Sequence, residues 1–368
     1  MNQAQIEIQL VAVLVAAACA LPGVFLVLRR VALMSDAISH TVLLGIVFGF
    51  MLVGDVRSPL LILFAAASGV LTVSLTELLL KTRRVKEDAA IALVFPALFS
   101  IAVIIINRNF GNIHLDTDAV LLGELAFAPF NRAELLGANL PKGVWIMGAV
   151  LLLNLILIAV FYKELKLATF DSALAAALGF SPALIHYGLM ASVSVTAVGA
   201  FDHVGSILVI ALMIAPPAAA YLLTDRLWRM LLYSVLIGAA SAIAGYWAAR
   251  TLNVNISGAM ATMTGVFFLA ALLFAPERGL VVKALQRDRR RRRFATEMLL
   301  VHLTRHEQTE REGIENTLGH LTGELNWTDA LARAAVLRAE TSGWITRQAD
   351  RLFLTDRGRR IAQQVQGR

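Results

Sequence analysis

Cysteine is almost absent from this 368-residue chain, and charged residues are few. The single cysteine, Cys19, lies in an apolar stretch, so the chain can form neither an internal disulfide nor a paired-cysteine metal motif. Charged residues make up 16% of the sequence, against about 25% in a typical soluble domain, while 58% of the residues are hydrophobic. These values exclude a disordered chain and disfavour an ordinary soluble globular protein.

Several sequence motifs of nucleotide binding and enzyme chemistry are also missing. No G-x-x-x-x-G-K-[ST] stretch occurs, so the chain has no P-loop with which to bind ATP. Neither H-E-x-x-H nor G-x-S-x-G occurs, which removes the usual signatures of zinc proteases and serine hydrolases. We therefore expect a protein that is not an enzyme and that holds no permanently bound cofactor.

Long apolar runs, in contrast, are abundant. About 20 apolar residues in a helix suffice to cross the roughly 30 Å hydrocarbon core of a bilayer. The sequence therefore predicts an all-α polytopic membrane protein with about nine transmembrane helices. The predicted spans are 8–28, 31–52, 59–80, 89–106, 144–161, 181–200, 204–223, 228–249 and 256–275.

The charges are concentrated at the C-terminal end. Residues 281–368 hold 28 charges, 17 basic and 11 acidic, whereas the preceding 280 residues hold 31. This distribution predicts a transmembrane domain over 1–280, a basic juxtamembrane linker over 281–293 and a small α+β domain over 294–368. The linker is typical of a segment that contacts anionic membrane lipid.

Basic residues also predict the orientation of the transmembrane domain. They cluster at alternate connections between spans, and such clusters favour the cytoplasmic side. The clusters are Arg29–Arg30, Lys81–Lys86, Lys163–Lys166, Arg226–Arg229 and Arg278–Lys283. This pattern places the N-terminus outside and the C-terminus in the cytoplasm, in agreement with an odd number of spans.

The second predicted span carries a carboxylate and an imidazole. Asp36 and His40 are four residues apart and therefore share one helix face. A charged side chain at mid-bilayer costs about 2.5–3.5 kcal/mol even on lenient scales, so the pair requires a reason. Carboxylate oxygen and imidazole nitrogen suit Mn²⁺, Fe²⁺ or Zn²⁺, which predicts a metal site; a structural Asp–His pair buried between helices is the alternative. Gly45 and Gly49 lie on the opposite face and predict a helix contact there.

Four further residues are weaker candidates for metal ligands. His114 and Asp116 lie in the long connection 107–143, which is predicted to be outside. Asp202 and His203 lie in a very short outer turn between the sixth and seventh spans. Both pairs could equally be solvated residues of ordinary connections.

The long inner connection, 162–180, contains a short helix pattern. Asp171 is placed as an N-cap, and helix-forming residues follow from Ser172 to Leu178. Gly179 is a typical helix stop. We expect a short amphipathic helix on the cytoplasmic face, with a plain connector as the alternative.

The C-terminal domain has the pattern of a winged helix-turn-helix. Helices are predicted over 294–306, 314–325 and 328–342, a hairpin around Gln348–Asp350, and a last helix from Thr355. The third of these segments occupies the place of a recognition helix but is only modestly basic. We therefore expect a docking or regulatory module rather than nucleic-acid binding.

Four segments, in order along the chain, resemble one family. They are 26–46, which contains Met34-Ser-Asp-Ala-Ile-Ser-His40, and 86–95, 161–171 and 204–220. Together they are similar to ABC importer permeases for manganese, zinc and iron ions, over about 1–280. The resemblance implies an alternating-access permease driven by separate cytoplasmic ATP-binding subunits. It also implies a second permease protomer in a homo- or heterodimer, an extracytoplasmic metal-binding protein, and the bacterial plasma (inner) membrane.

The resemblance also assigns roles to residues. Asp36 and His40 match the metal site on the family's translocation path. The segment around Asp171–Gly179 matches the coupling helix that docks on the ATPase. The residues assigned to this coupling segment are Glu164, Phe170, Asp171, Leu178 and Gly179. The outer segment 112–118 resembles the manganese and iron branch, so Mn²⁺ is the expected substrate, then Fe²⁺ or Zn²⁺.

The end of the chain resembles a second family. Residues from Gly343 to Ala362 are similar to the winged helix of repressors of the diphtheria-toxin-repressor type. The three histidines of this domain do not copy a repressor metal site; they are His302, His306 and His320. This similarity raises an alternative function, a membrane-anchored metal-responsive regulator that acts through the winged helix.

Overall fold

The structure is a computed structural model, and it describes residues 2–55, 58, 60–109, 123, 125–135, 137–307, 316–325 and 327–366. The chain divides into two compact units, Met1–Arg278 and Gly279–Arg368. The first unit is mostly helical, and the second combines helices with a two-stranded hairpin.

Among the described residues, the first unit contains ten α-helices, of which two are short and the other eight are long and apolar. They are α1 (Gln3–Leu28), α2 (Leu33–Val53), α3 (Leu60–Lys81), α4 (Glu87–Asn109), α5 (Lys142–Val160), α6 (Tyr162–Phe170), α7 (Ser172–Ala177), α8 (Pro182–Leu223), α9 (Leu227–Leu252) and α10 (Ile256–Phe274). Within the described residues, eight of these helices are long and apolar enough to cross a membrane. The chain is thus a mostly helical, multi-pass membrane protein.

Helix α8 accounts for the difference between eight helices and the nine predicted spans. Its 42 residues cover both of the spans predicted at 181–200 and 204–223. At 1.5 Å per residue this length is about 63 Å, twice the thickness of a bilayer core. Gly205 interrupts the helix with non-helical angles, φ 74° and ψ 166°. The count of nine crossings stays a prediction.

Helix α1 occupies the centre of the first unit. In its most apolar stretch 78% of the residues are buried, against 22–50% in the other seven candidate spans. It packs against α5, α8 and α9. Gly23 permits the closest of these approaches, because a Cβ there would lie 2.2 Å from the carbonyl oxygen of Met213. A larger residue at that position would force α1 and α8 apart.

The connection between α4 and α5 contains local structure that the sequence did not predict. A 3₁₀ helix, Leu125–Phe130, is followed by the antiparallel strands β1 (Arg132–Leu135) and β2 (Ala138–Pro141). Arg132 reaches back to α1, where its Nη1 atom lies 3.0 Å from Oε2 of the buried Glu7. This ion pair ties the hairpin to the start of the central helix.

The connection between α5 and α8 folds into two short helices rather than one. α6 ends at Phe170, and α7 begins at Ser172. The side chain of Asp171 accepts a hydrogen bond of 2.9 Å from the backbone N–H of Leu174, which confirms it as the N-cap of α7. Gly179 then takes a left-handed φ of 88°, a conformation typical of a residue that follows a helix.

The second unit is small and has its own apolar core. Its elements are α11 (Leu280–His306), α12 (Leu318–Glu324), α13 (Asp329–Thr341), β3 (Ile345–Gln348), β4 (Arg351–Leu354) and α14 (Asp356–Gln366). The hairpin predicted around Gln348–Asp350 is confirmed, with Ile345 opposite Leu354. Residues 281–293, predicted as a basic juxtamembrane linker, lie in the first half of α11. The winged-helix assignment stays a prediction.

Candidate metal centre

Asp36 and His40 lie one turn apart near the start of α2. Because the helix begins at Leu33, Asp36 belongs to its first turn. The Nε2 atom of His40 lies 3.3 Å from Oδ1 of Asp36. The side chain of His40 is 32% exposed and that of Asp36 is 37% exposed. The structural alternative requires a pair that is buried between helices, whereas both side chains are partly exposed in this chain.

The neighbouring hydroxyl groups on α2 are turned into the protein. Ser35 and Ser39 are 0% and 2% exposed, and each donates a 2.8 Å hydrogen bond to a backbone carbonyl of its own helix. Thr72 of α3 donates a 2.7 Å hydrogen bond to the hydroxyl of Thr41. The two serine hydroxyl groups are satisfied within α2, and the bond between Thr72 and Thr41 joins α2 to α3. The accessible polar side chains of this segment are therefore the carboxylate and the imidazole.

The opposite face of α2 forms the packing surface that its glycines predict. A Cβ on Gly45 would lie 2.3 Å from the backbone oxygen of Phe64, and one on Gly49 would lie 3.0 Å from the ring of the same residue. Gly45 is nine residues from Asp36, which corresponds to a rotation of about 180°. Tight packing against α3 thus directs Asp36 and His40 away from it.

Two aromatic residues of α4 position the imidazole of His40. The ring of Phe95 stacks on it with a centroid distance of 5.6 Å and an interplanar angle of 25°. The ring of Phe99 meets it edge-on at 6.0 Å and 79°. These contacts restrict the imidazole plane in the orientation that places Nε2 beside Asp36.

One chain supplies only part of a metal coordination shell. Within the described residues, no group of three or more His, Cys, Asp or Glu side chains is arranged to hold a metal ion. Zinc is usually four-coordinate in proteins and divalent manganese accepts octahedral oxygen ligands, so two ligands leave positions open. The open positions require water or a second molecule.

The weaker candidates fall into two groups. His114 and Asp116 lie outside the described residues. Asp202 and His203 line a cavity of about 110 Å³ beside the Gly205 break in α8. In the part of the chain that the structure describes, this second Asp–His pair does not join the first in a common ligand group.

The predicted coupling segment presents an apolar surface. Phe170 is 61% exposed and Leu178 is 60% exposed, on either side of the Asp171 cap. Glu164, in contrast, points inward, and its Oε2 is buried without a hydrogen-bond partner among the described residues. Exposed apolar side chains beside charged ones are typical of a protein docking surface.

Sequence reasoning missed a cluster of polar side chains contributed by four elements, which we call the inner polar cluster. Its members are Arg29, Glu77, Thr169, His186 and Tyr187. The carboxylate of Glu77 accepts a 2.5 Å hydrogen bond from the Tyr187 hydroxyl and lies 3.1 Å from Nε2 of His186. Arg29 follows α1 and bridges His186 at 3.3 Å and Thr169 of α6 at 3.1 Å.

The inner polar cluster connects the coupling segment to the transmembrane helices. Thr169 belongs to α6, Glu77 to α3, and His186 and Tyr187 to α8. Burial lowers the pKa of the Arg29 guanidinium. The sequence signal for this cluster was Glu77, an acidic residue near the end of an apolar helix. Its partners could not be predicted, because contacts between distant segments leave no local pattern.

The comparison with protein families decides the identity of the membrane domain. Residues 2–275 match the ABC 3 transport family. The chain belongs to the ABC 3 transport family. An ABC 3 protein is part of a transport system and not an enzyme, which confirms the expectation drawn from the missing enzyme motifs.

Two curated relatives of this ABC 3 chain differ in how much of it they cover. The zinc transport system membrane protein TroD of Treponema pallidum is 48% identical over 357 residues, or 97% of each chain. The manganese transport system membrane protein MntD of Bacillus subtilis is 50% identical over 275 residues, or 74% of this chain and 93% of MntD. The similarity to TroD therefore extends through the second unit.

A solved structure shares the fold of the ABC 3 domain. PsaBC from Streptococcus pneumoniae, solved in complex with Fab, is 27% identical with a TM-score of 0.64. The match covers 76% of this chain and 94% of the PsaBC chain. Neither the family nor these relatives supports the membrane-anchored regulator.

Proposed function

We propose that this chain is the permease subunit of an ATP-driven importer of divalent transition-metal ions. Membership in the ABC 3 family supports a transport role. The names of TroD and MntD assign zinc and manganese transport to those two relatives. The absence of a P-loop from the sequence supports separate ATP-binding subunits as the source of energy.

The observation that carries the proposal is the Asp36–His40 pair. A carboxylate and an imidazole 3.3 Å apart, both about one-third exposed, lie on a helix that is apolar enough to span a membrane. Such groups in a transmembrane helix are costly unless they serve a pathway or a partner. Their oxygen and nitrogen donors suit a divalent first-row metal ion.

A second permease protomer completes the site in this proposal. One chain supplies two ligands, and two chains related by a twofold axis supply four. The opposed packing of Gly45 against α3 supports this arrangement, because it leaves the Asp36–His40 face accessible. The same reasoning holds for a homodimer and for a heterodimer with a related permease.

Energy enters through the coupling segment, α6 and α7, on the cytoplasmic side. The exposed side chains of Phe170 and Leu178 support docking on an ATP-binding subunit. ATP binding and hydrolysis there move the segment, and the helices rearrange around Asp36 and His40 in alternating access. An extracytoplasmic metal-binding protein delivers the ion on the opposite side of the membrane. In this proposal the chain crosses the bacterial inner membrane nine times.

The second unit acts as a cytoplasmic docking or regulatory module in this proposal. Its three helices, hairpin and last helix follow the order expected for a winged helix. The basic run at Arg287–Arg293 lies at the surface of α11 and suits contact with anionic lipid. The 97% coverage of TroD supports a role within transport, since that relative shares the unit.

Manganese is the proposed substrate, followed by iron and zinc. TroD and MntD are similar in identity, 48% and 50%, and their names give different metals. The intrinsic affinity of nitrogen and oxygen sites favours zinc over manganese, so selectivity requires geometry or supply. The resemblance of 112–118 to the manganese and iron branch supports the order given.

The test measures the metal content of metal-limited cells that carry the complete transporter. We expect Asp36→Ala and His40→Ala to remove the accumulation of one metal, measured by mass spectrometry. Glu134→Gln is the matched control, because it removes an exposed carboxylate of β1. Protein amount and co-purified ATPase are compared in every strain. Unchanged metal content in the Asp36 and His40 variants would contradict the proposal. A fall in zinc alone would identify zinc, rather than manganese, as the substrate.

A further inference from the structure

A second polar site lies where α8 is interrupted. Asp202 and His203 immediately precede Val204 and Gly205, and Gly205 leaves the helical conformation at φ 74° and ψ 166°. Gly123 packs closely against this break, since a Cβ added to Gly123 would lie 2.3 Å from the carbonyl carbon of Val204. Broken helices in transport proteins occur where backbone lines a cavity or an ion path.

The cavity beside this break is large enough for an ion with water. Its volume is about 110 Å³, several times the 10–15 Å³ that one water molecule requires. The 3₁₀ helix, the start of α5 and α8 form its walls. Its lining residues are Phe127, Ala128, Asn131, Gly143, Asp202 and His203.

The polar lining residues carry donor groups of the types that suit a divalent transition metal. Asp202 supplies a carboxylate, Asn131 an amide oxygen, and His203 an imidazole. The Nε2 atom of His203 is buried and has no hydrogen-bond partner among the described residues. A buried ring nitrogen without a partner is unfavourable, and rotation of the imidazole toward the cavity would let a metal ion satisfy it.

The absence of a side chain at Gly143 makes room for the imidazole ring of His203. A Cβ at this position would lie 3.3 Å from both Nδ1 and Cε1 of that imidazole. The neighbouring residue, Lys142, lies close enough to His203 to interact with it electrostatically. Its positive charge opposes a bound cation, so the site favours brief rather than tight binding.

We propose that Asp202, His203 and Asn131 form an outer site that captures the divalent metal ion before it reaches Asp36 and His40. This inference rests on the proposed import function, because it gives the cavity the same cargo. Passage through a pathway requires sites that bind an ion well enough to capture it and weakly enough to release it. The positive charge of Lys142 meets the second requirement.

Uptake kinetics of Mn²⁺ with the complete transporter separate the two sites. Asp202→Asn and His203→Gln should raise KM about tenfold and leave maximal uptake within about twofold, because they weaken capture and not translocation. Lys142→Gln should lower KM, since it removes a repulsive charge. Glu134→Gln is the matched control and should change neither value. A wild-type KM in both Asp202 and His203 variants would overturn the proposal.

Equilibrium binding of radioactive Cd²⁺ tests the outer site without transport. The full chain carries Asp36→Asn and His40→Gln to remove the first site, and His203→Gln is added to that background. We expect Cd²⁺ binding to persist in the double variant and to fall at least about tenfold in the triple variant. Equal binding in both would overturn the outer site. Failure of the wild-type transporter to import any metal would instead overturn the proposed function, and Cd²⁺ binding would still report on the cavity.

Discussion

Asn154 provides a sharp test of how a proline is tolerated inside the central helix. Pro22 lies within α1 and has no backbone N–H, so the carbonyl of Ala18, four residues earlier, lacks its helical donor. The Nδ2 atom of Asn154 in α5 donates to that carbonyl at 3.1 Å and to the hydroxyl of Thr196 at 2.9 Å. The Asn154 side chain therefore replaces the hydrogen bond that the proline removes.

The size of this effect follows from the bonds that are lost. Asn154→Leu keeps a similar volume and removes the donor to Ala18, which leaves a buried carbonyl unsatisfied. Hydrogen bonds within membranes average about 0.6 kcal/mol and reach about 1.7, and an unsatisfied buried group costs about 1–3 kcal/mol. We expect the free energy of unfolding to fall by about 1–2 kcal/mol.

A second substitution isolates the contribution of the proline. In a Pro22→Ala background, the N–H of residue 22 satisfies Ala18 directly, so Asn154→Leu should cost about 1 kcal/mol less than in the wild type. The assay is reversible unfolding of the purified chain by SDS in mixed micelles, followed by circular dichroism. An interaction energy below about 0.3 kcal/mol in this double-mutant cycle would refute the reasoning, because the two residues would then act independently.

Three further substitutions probe the packing and the coupling path. Gly45→Ala should weaken the α2–α3 contact and lower the melting temperature, because its Cβ would lie 2.3 Å from the backbone oxygen of Phe64. Gly148→Ala is the control and should leave the melting temperature unchanged, because no atom lies within 4 Å of its Cβ position. Asp171→Ala removes the 2.9 Å cap of α7 and should cost about 1 kcal/mol of helix stability, seen as faster amide exchange in α7; unchanged exchange would contradict this role. Glu77→Gln removes the negative charge that joins its two partners on α8. In the assembled transporter it should lower the number of ions imported per ATP hydrolysed, and an unchanged ratio would show that the cluster does not couple.

The elements that could be predicted are those with a local signal. Long apolar runs predicted the helices, and the Asp171 cap followed from side-chain chemistry at a single position. The bounds shifted by two residues at the start of α2: the span predicted at 31–52 begins at Leu33, because residues 29–32 form the connection after α1. The outer hairpin was not predicted, since its strands are only four residues each.

The candidate sites divide in the same way. The four-residue spacing of Asp36 and His40 predicted that they share one helix face, and their side chains lie 3.3 Å apart. The contacts of His186 with Glu77 and Arg29 join residues more than 100 positions apart, and no periodicity reports such distances. The sequence placed the polar pair at Asp202 in a turn between two spans, whereas α8 departs from helical angles only at Gly205.

Helix α8 connects the polar features of the first unit. His186 lies in its first turns beside Arg29, which also contacts Thr169 of the coupling segment. Residues 182–204 precede the break, and as a continuous helix they extend about 34 Å. In the proposed mechanism, we expect a displacement of α6 to reach this segment of α8 through Arg29. Because Gly205 interrupts the helix at the far end of the segment, beside Asp202 and the cavity, we expect the cavity to change shape when the segment moves.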